Sequence, residues 1–196
     1  QHFFYILREM AILLQIHHPS LHSIDKFSYE CFDGSNKVTI LMDYIENGSI
    51  ANLFHKTNFD NTHRQIILVG IASAMNFLHN KNIIHRNLKP SNVLLDQNLR
   101  PLVTDFGLSK IFNPYNLRQN QNEAILKTVL YLAPEAIKNN RYSKSSDVYS
   151  FGILMYEIVS GKEAYEELFS KDFTPSKFEK LLLKEKIRPK FDFPIK

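Results

Sequence analysis

Three polar residues near the middle of the chain have the chemistry needed to act on a phosphate group. Asn92 and Asp105 each carry a side-chain oxygen, and Lys89 lies three residues before Asn92 and carries a positive charge. Mg²⁺ prefers hard oxygen ligands, and it needs few from a protein because it keeps several waters and takes further oxygens from substrate phosphates. These residue types therefore suit a site that holds a metal ion against an anionic substrate.

The residues around them resemble the catalytic loop and metal-binding turn of protein kinases. The family loop reads H-R-D-L-x-x-x-N and is followed by D-F-G; this chain reads His85-Arg86-Asn87-Leu88-Lys89, then Asn92, and later Asp105-Phe106-Gly107. The resemblance implies Mg²⁺-dependent transfer of a phosphoryl group from ATP to a protein hydroxyl. It implies that Asn92 and Asp105 are the metal ligands and that Lys89 faces the transferring phosphate.

The base position departs from the family pattern. In the family, the Asp of H-R-D accepts the proton of the substrate hydroxyl, and Asn87 occupies that position here. An amide can accept a hydrogen bond and orient the hydroxyl, but it cannot hold the proton. General-base catalysis is typically worth about 10²–10⁴ in rate, so we expect at least that loss. Asn87 and Lys89 are therefore the predicted catalytic residues of an impaired site.

The resemblance also implies which residues contact the nucleotide. Glu9 matches the glutamate of helix αC, which pairs with a phosphate-gripping lysine on an earlier strand. Met42 matches the residue at the back of the nucleotide pocket, and the backbone of Asp43 and Ile45 would meet the adenine edge. Leu94 would lie under the adenine ring.

Two later blocks fit the same family. Residues 105–135 match the activation segment, and Thr128 matches its threonine beside the catalytic loop, although Lys127-Thr128-Val129 replaces the usual Gly-Thr-Pro. The middle of this segment has no hydrophobic period and is predicted to be a mobile loop. Asp147, in Ser146-Asp147-Val148-Tyr149-Ser150-Phe151-Gly152, matches the aspartate that holds the backbone of the catalytic loop.

Hydrophobic periodicity predicts the elements that position these residues. Helices are predicted over 1–16, over Thr62–Lys81 with Thr62 as the N-cap, and over Phe178–Lys186. The resemblance implies a further helix through the Ser146 block. The predicted strands are Lys26–Phe32, Lys37–Met42, Ile83–Ile84, Val93–Leu95 and Leu102–Thr104.

The fold expected from the resemblance is an α+β, protein-kinase-like fold with a mainly helical C-lobe and a remnant of the β-rich N-lobe. Residues 1–196 would form one partial kinase domain, with the N-lobe remnant at 1–42, the hinge at 43–48 and an incomplete C-lobe at 49–196. No G-x-G-x-x-G occurs in these 196 residues. The family strands that cover the phosphates are therefore expected to be missing, which leaves half a nucleotide site.

Composition sets limits on the partners. The chain is 44% hydrophobic and 22% charged, with a net charge of +4 and no basic tract, so a nucleic-acid partner is not expected. The resemblance implies a protein substrate or a partner protein. The longest apolar run, Ile66–Ala72, is much shorter than the roughly 20 residues that cross a bilayer. A single cysteine, Cys31, excludes an internal disulfide and favours a reducing compartment such as the cytoplasm.

Two functions remain open. The first is a Ser/Thr protein kinase domain of the tyrosine-kinase-like group, because Lys89 follows the Ser/Thr-specific pattern while the hinge, Tyr131–Glu135 and the Ser146 block follow that group. It would use ATP and Mg²⁺, with activity reduced by Asn87. The second is a pseudokinase, a module that binds or scaffolds a partner protein without transferring phosphate. Asn87 and Lys127-Thr128-Val129 favour the second reading.

Overall fold

The computed structural model describes residues 10–11, 13–28, 39–53, 59–106, 128–168 and 173–191, and these form a helix-rich α+β structure. The helices are α1 (Ile50–Leu53), α2 (Asn61–Asn80), α3 (Pro134–Asn139), α4 (Lys144–Ser160) and α5 (Pro175–Lys180). The strands are β1 (Lys26–Ser28), β2 (Thr39–Leu41), β3 (Val93–Leu95) and β4 (Pro101–Val103). Within these ranges no helix has both the length and the apolar character needed to cross a membrane.

The four strands form two antiparallel pairs. Lys26 lies opposite Leu41 in the β1–β2 pair, and Val93 lies opposite Val103 in the β3–β4 pair. Val93–Leu95 is a strand as predicted, and the second strand of that pair begins one residue before the predicted Leu102. Of the first two predicted strands, the described residues form β1 and β2, and Met42 is not part of β2. Residues 29–38 of these predictions lie outside the described ranges.

The N-cap of helix α2 lies two residues before the predicted one. Asp60 is the N-cap, with an extended backbone and a carboxylate oxygen that accepts the N–H of His63 at 2.8 Å. Its side chain therefore satisfies one of the amides that a helix start leaves unpaired. The prediction that Thr62 caps the helix is wrong, because Thr62 already lies inside the first turn.

The segment after α2 is a helix-ending turn and not the predicted strand. Asn82 adopts a left-handed backbone with φ 57°, and the N–H of Ile83 donates to the carbonyl of Leu78 at 2.9 Å. This is the Schellman arrangement that ends many helices. The predicted strand Ile83–Ile84 is absent from the described structure because the end of the helix uses the Ile83 amide.

Close packing between α2 and β4 depends on a glycine. A Cβ atom on Gly70 would lie 2.4 Å from Cγ of Pro101, the first residue of β4. Real Cβ atoms do not approach other carbons so closely, so a side chain at position 70 would push β4 away from α2. Because β4 leads directly to Asp105, this contact helps to place the turn that is predicted to bind a metal ion.

Helix α4 lies between two hydrophobic cores. Leu154 and Ile158 belong to the core around α2, β3 and β4, whereas Ile153 and Tyr156 belong to a second core around α3 and α5. Ser143 starts the helix with a capping box to Ser146. A helix that is apolar on several faces is buried in this way, and α4 can therefore support the catalytic loop on one side and residues 128–135 on the other.

The remaining helix predictions are partly correct. The predicted helix Phe178–Lys186 is observed as α5, which begins at Pro175 and is capped by Thr174, followed by a π-helical turn over Leu181–Glu185. Of the helix predicted over 1–16, the described part is helical at Met10, Ala11 and Leu13. Residues 1–9, including Glu9, lie outside the described ranges.

Candidate functional site

Asp147 of α4 holds the backbone of the catalytic loop. One carboxylate oxygen accepts the N–H of His85 and the other accepts the N–H of Arg86, both at 2.8 Å. The ring of His79 lies 2.9 Å from the same carboxylate, and Asp147 is only 1% exposed. The predicted structural role of Asp147 is confirmed. The sequence analysis did not identify His79, although a polar residue at the end of a buried helix just before the loop was a usable signal.

The loop places Asn92 and Lys89 through hydrogen bonds. The side-chain N–H of Asn92 donates to the backbone carbonyl of Asn87 at 2.7 Å, which fixes the orientation of the amide. The amide oxygen accepts the hydroxyl of Ser91 at 3.4 Å and has a second lone pair for a ligand. Lys89 donates from Nζ to the hydroxyl oxygen of Thr128 at 2.7 Å. The loop is therefore tied to the far end of residues 105–135.

The β3–β4 pair brings Asn92 and Asp105 close together. Asn92 immediately precedes β3, and its backbone carbonyl accepts the N–H of Thr104 at 3.0 Å. Asp105 follows Thr104 directly and has a left-handed backbone with φ 61°. A non-glycine residue at positive φ is uncommon and often marks a functional site. The two predicted metal ligands therefore lie at the same end of one hairpin.

These residues fit a magnesium ion. Asn92 offers an amide oxygen whose orientation is set by its bond to the Asn87 carbonyl, and Asp105 offers a half-buried carboxylate. Both are hard oxygen donors, and two protein ligands are enough for Mg²⁺ when water and phosphate oxygens supply the others.

Burial and charge act against each other at two titratable groups of the site. Desolvation lowers the pKa of Lys89, and the carboxylate of Asp105 opposes this change. Desolvation also lowers the pKa of His85, which is fully buried, while the carboxylates of Asp147 and Asp105 oppose it. The negative charge of Asp105 thus acts on both the loop lysine and the loop histidine.

The segment predicted to be the hinge is tied to β3 at its end. The carbonyl of Gly48 accepts the N–H of Leu95 at 3.0 Å, and Ser49 forms an isolated bridge with Leu94. The side chain of Asn47 donates to the carbonyl of Asp96 at 2.7 Å. Leu94 is therefore brought beside the segment that was predicted to hold the adenine edge.

The other predicted nucleotide-binding residues have different environments. Met42 packs against the first core, Asp43 is exposed, and Ile45 is half-buried with its carbonyl accepting the N–H of Gly48 at 3.0 Å. The carbonyl of Asp43 lies 2.9 Å from the ring of His22, a residue that the sequence analysis did not assign to the site. Glu9 lies outside the described residues.

A second buried carboxylate on α4 holds the segment after Thr128. The phenol of Tyr131 donates to Glu157, with both carboxylate oxygens at 2.9 Å, and Glu157 also accepts the N–H of Ala164 at 2.8 Å. Burial, reinforced by the charge of Glu157, raises the pKa of Tyr131 well above its ordinary value. The sequence analysis assigned no role to Glu157.

Comparison with known proteins agrees with this geometry. Residues 3–195 match the family model described as the protein kinase domain. Human 3-phosphoinositide-dependent protein kinase 1 is 30% identical over 193 residues, which cover 98% of this chain and 32% of that protein. Serine/threonine-protein kinase AtPK1/AtPK6 of Arabidopsis thaliana is 34% identical over 189 residues, or 95% of this chain and 38% of that protein.

A yeast protein kinase is also similar to this chain. The Aurora kinase of Saccharomyces cerevisiae is 34% identical over 161 residues, which cover 82% of this chain and 42% of that protein. This chain therefore spans less than half the length of each of these three relatives.

Proposed function

The chain belongs to the protein kinase family, and we propose that it is a Ser/Thr kinase domain of reduced activity. In this proposal Asn92 and Asp105 hold Mg²⁺, and Lys89 faces the phosphoryl group that moves to a protein hydroxyl. The backbone of Asp43 and Ile45 holds the adenine edge between Met42 and Leu94. Bound ATP with Mg²⁺ supplies the phosphoryl group itself.

One observation carries this proposal. The side chain of Asn92 donates to the Asn87 carbonyl, so the predicted metal ligand is oriented by the backbone of the very residue that departs from the family pattern. Because that bond uses the carbonyl and not the side chain at position 87, the loop keeps its arrangement with asparagine there. The bond from Lys89 to Thr128 supports the same conclusion.

Asn87 sets the expected limit on the rate. Its amide oxygen can accept a hydrogen bond from a substrate hydroxyl and so orient the attacking oxygen. It has no carboxylate to take up the proton, which must leave by a less favourable route. The general-base contribution of about 10²–10⁴ is then absent.

The finer classification is also part of the proposal. We assign the chain to the tyrosine-kinase-like group because of Tyr131–Glu135 and the Ser146 block, and to Ser/Thr specificity because of Lys89. The division into a lobe remnant at 1–42, a hinge at 43–48 and a partial C-lobe at 49–196 follows the same resemblance. A protein substrate and a cytoplasmic location complete this assignment.

The test is the Asn87→Asp variant, assayed for transfer of labelled γ-phosphate to a library of Ser- and Thr-containing peptides. We expect the rate to rise by about 10²–10⁴, because the carboxylate restores the general base. Asn98→Asp is the matched control, since Asn98 is exposed in a turn and the substitution adds the same charge. Equal rates for the Asn87→Asp and Asn98→Asp variants would contradict the proposed role of Asn87.

Metal and nucleotide binding can be measured without turnover. A bound ligand stabilises the folded state by mass action, so Mg²⁺ with ATP should raise the Tm of the wild-type chain. Asp105→Ala should abolish that shift, because it removes one of two protein ligands. An unchanged Tm in the wild type would contradict the proposal that this chain is an enzyme.

The second candidate function is a pseudokinase that binds a partner protein. Asn87 favours it, together with Val129 in place of the usual proline after Thr128. This function predicts no phosphotransfer from either the wild type or the Asn87→Asp variant. An unchanged Tm in the presence of Mg²⁺ and ATP would favour the pseudokinase function.

A further inference from the structure

His22 is a buried histidine with one hydrogen-bonded ring nitrogen. It is 8% exposed, and its Nε2 lies 2.9 Å from the backbone carbonyl oxygen of Asp43. A carbonyl oxygen can only accept, so Nε2 must carry the hydrogen and donate it. The other ring nitrogen, Nδ1, is also buried and has no hydrogen-bond partner among the described residues.

The backbone of His22 is bonded to a different part of the site. Its N–H donates to the carbonyl of Val103 at 2.9 Å, and Val103 in turn donates to the carbonyl of Ser20 at 2.9 Å. Val103 ends β4 and lies two residues before Asp105. His22 therefore joins two segments directly, the one predicted to hold adenine and the strand that leads to a predicted metal ligand.

A histidine is a costly choice for this position. A buried polar atom without a partner costs free energy, and an apolar side chain of similar size would avoid that cost at Nδ1. What the imidazole adds over such a side chain is the hydrogen bond to Asp43. That bond holds the carbonyl in one orientation relative to β4.

We infer that His22 is a positioning residue of the nucleotide site. Its imidazole holds the Asp43 carbonyl so that the second lone pair of that oxygen is presented to the amino group of a 6-aminopurine. Through its backbone, His22 also sets the distance between this carbonyl and the strand that leads to Asp105. This inference rests on the proposed function, because it requires the Asp43 backbone to bind adenine.

The test compares two nucleotides on four proteins. Binding of Mg²⁺-ATP and of the matching purine nucleoside triphosphate that lacks the 6-amino group is measured for the wild type and for His22→Leu, His22→Gln and His17→Leu. His17 is the matched control, because it is exposed on the same loop and undergoes the same chemical change. The ratio of the two affinities isolates the contribution of the amino group in the manner of a double-mutant cycle.

A single hydrogen bond contributes about 0.5–1.5 kcal/mol net, so we expect the wild type to prefer ATP by about 2- to 10-fold. His22→Leu should lose this preference, and His17→Leu should keep it. His22→Gln should recover part of it, because the glutamine amide nitrogen lies as many bonds from Cβ as Nε2 does. A merely structural role for His22 would weaken both nucleotides equally.

The possible failures are distinguishable. If the wild type binds neither nucleotide, the proposed function fails and this inference fails with it. If the wild type prefers ATP and His22→Leu keeps the same preference, only the inference is overturned. A stronger preference for ATP in His22→Leu would also overturn it, because the histidine would then be competing with the adenine amino group.

Discussion

Helix α4 carries two buried carboxylates that hold different parts of the molecule in different ways. Asp147 is 1% exposed and Glu157 is 3% exposed, and ten residues of helix separate them by about 15 Å. Asp147 accepts two backbone N–H groups of the catalytic loop. Glu157 accepts the side-chain hydroxyl of Tyr131 and one backbone N–H.

The two anchored regions differ in which side-chain substitutions they can tolerate. Every residue except proline offers a backbone N–H, so the anchoring by Asp147 does not depend on which side chains the loop carries. The loop can therefore keep its arrangement with Asn87 in place of an aspartate. The anchoring by Glu157 needs a hydroxyl at position 131, so that region is sensitive to side-chain identity. A loop that is held through its backbone can in this way keep its framework when one of its side chains changes.

The largest effect is expected at Asp147. Asp147→Ala leaves two backbone N–H groups and the His79 ring without their acceptor, and breaking a buried charged network of this kind costs about 3–5 kcal/mol. Urea unfolding gives the free energy of unfolding directly. Asp60→Ala is the matched control, because Asp60 also accepts a backbone N–H but is exposed, and it should cost only about 1 kcal/mol. Equal losses for the two variants would contradict the framework role of Asp147.

A smaller effect is expected at Tyr131. Tyr131→Phe removes the hydroxyl that donates to Glu157, and a hydrogen bond to a charged group contributes about 1.5–3 kcal/mol. Tyr44→Phe removes a hydroxyl from a side chain that is 86% exposed and should change stability by less than about 0.5 kcal/mol. If the two variants unfold at the same urea concentration, side-chain anchoring by Glu157 is not important for stability.

The smallest expected effect is a change in the pH dependence of stability, which tests the anchoring of Tyr131 by Glu157. The pKa of Tyr131 is raised in the folded chain, whereas an unfolded tyrosine loses its proton near pH 10. The contribution of Tyr131 to stability is therefore complete below about pH 10 and is lost as pH rises further towards the folded pKa.

Above pH 10, the wild type should lose stability faster than Tyr131→Phe by up to about 1.4 kcal/mol per pH unit. Urea unfolding of both proteins at several alkaline pH values measures this difference. Lys89 and Tyr165, whose pKa values are also shifted, are present in both proteins, so their effects cancel. Parallel pH profiles would show that the Tyr131 phenol does not stay protonated in the fold.

Local patterns were sufficient to predict several parts of this protein. The pair of apolar runs at β3 and β4 lies close in sequence, so the antiparallel hairpin that joins Asn92 to Asp105 follows from nearest-neighbour pairing. The motif order also predicted that Asp147 would hold the loop backbone. The roles of Asn87, Lys89 and the nucleotide-binding residues remain predictions. The middle of the 105–135 segment lies outside the described residues.

Other features were decided only by the tertiary structure. Thr62 and Asp60 are both suitable N-caps by residue type, and only the backbone geometry selects Asp60. The run Ile83–Ile84 has a strand-like composition, but the end of α2 takes the amide of Ile83. In both cases several residues are suited to the same role by residue type. The structure selects between them through the hydrogen-bond partner that lies within reach.

The sequence alone predicted which residues make up the candidate site, because the catalytic loop and the turn at Asp105 are short and nearly continuous in sequence. The tertiary structure decided the partners of its buried polar groups, since these come from distant parts of the chain. His22 bonds to a residue 21 positions away, Tyr131 to one 26 positions away, and His79 to one 68 positions away. No local periodicity encodes such distances, because they arise only when helices and strands pack around a common core.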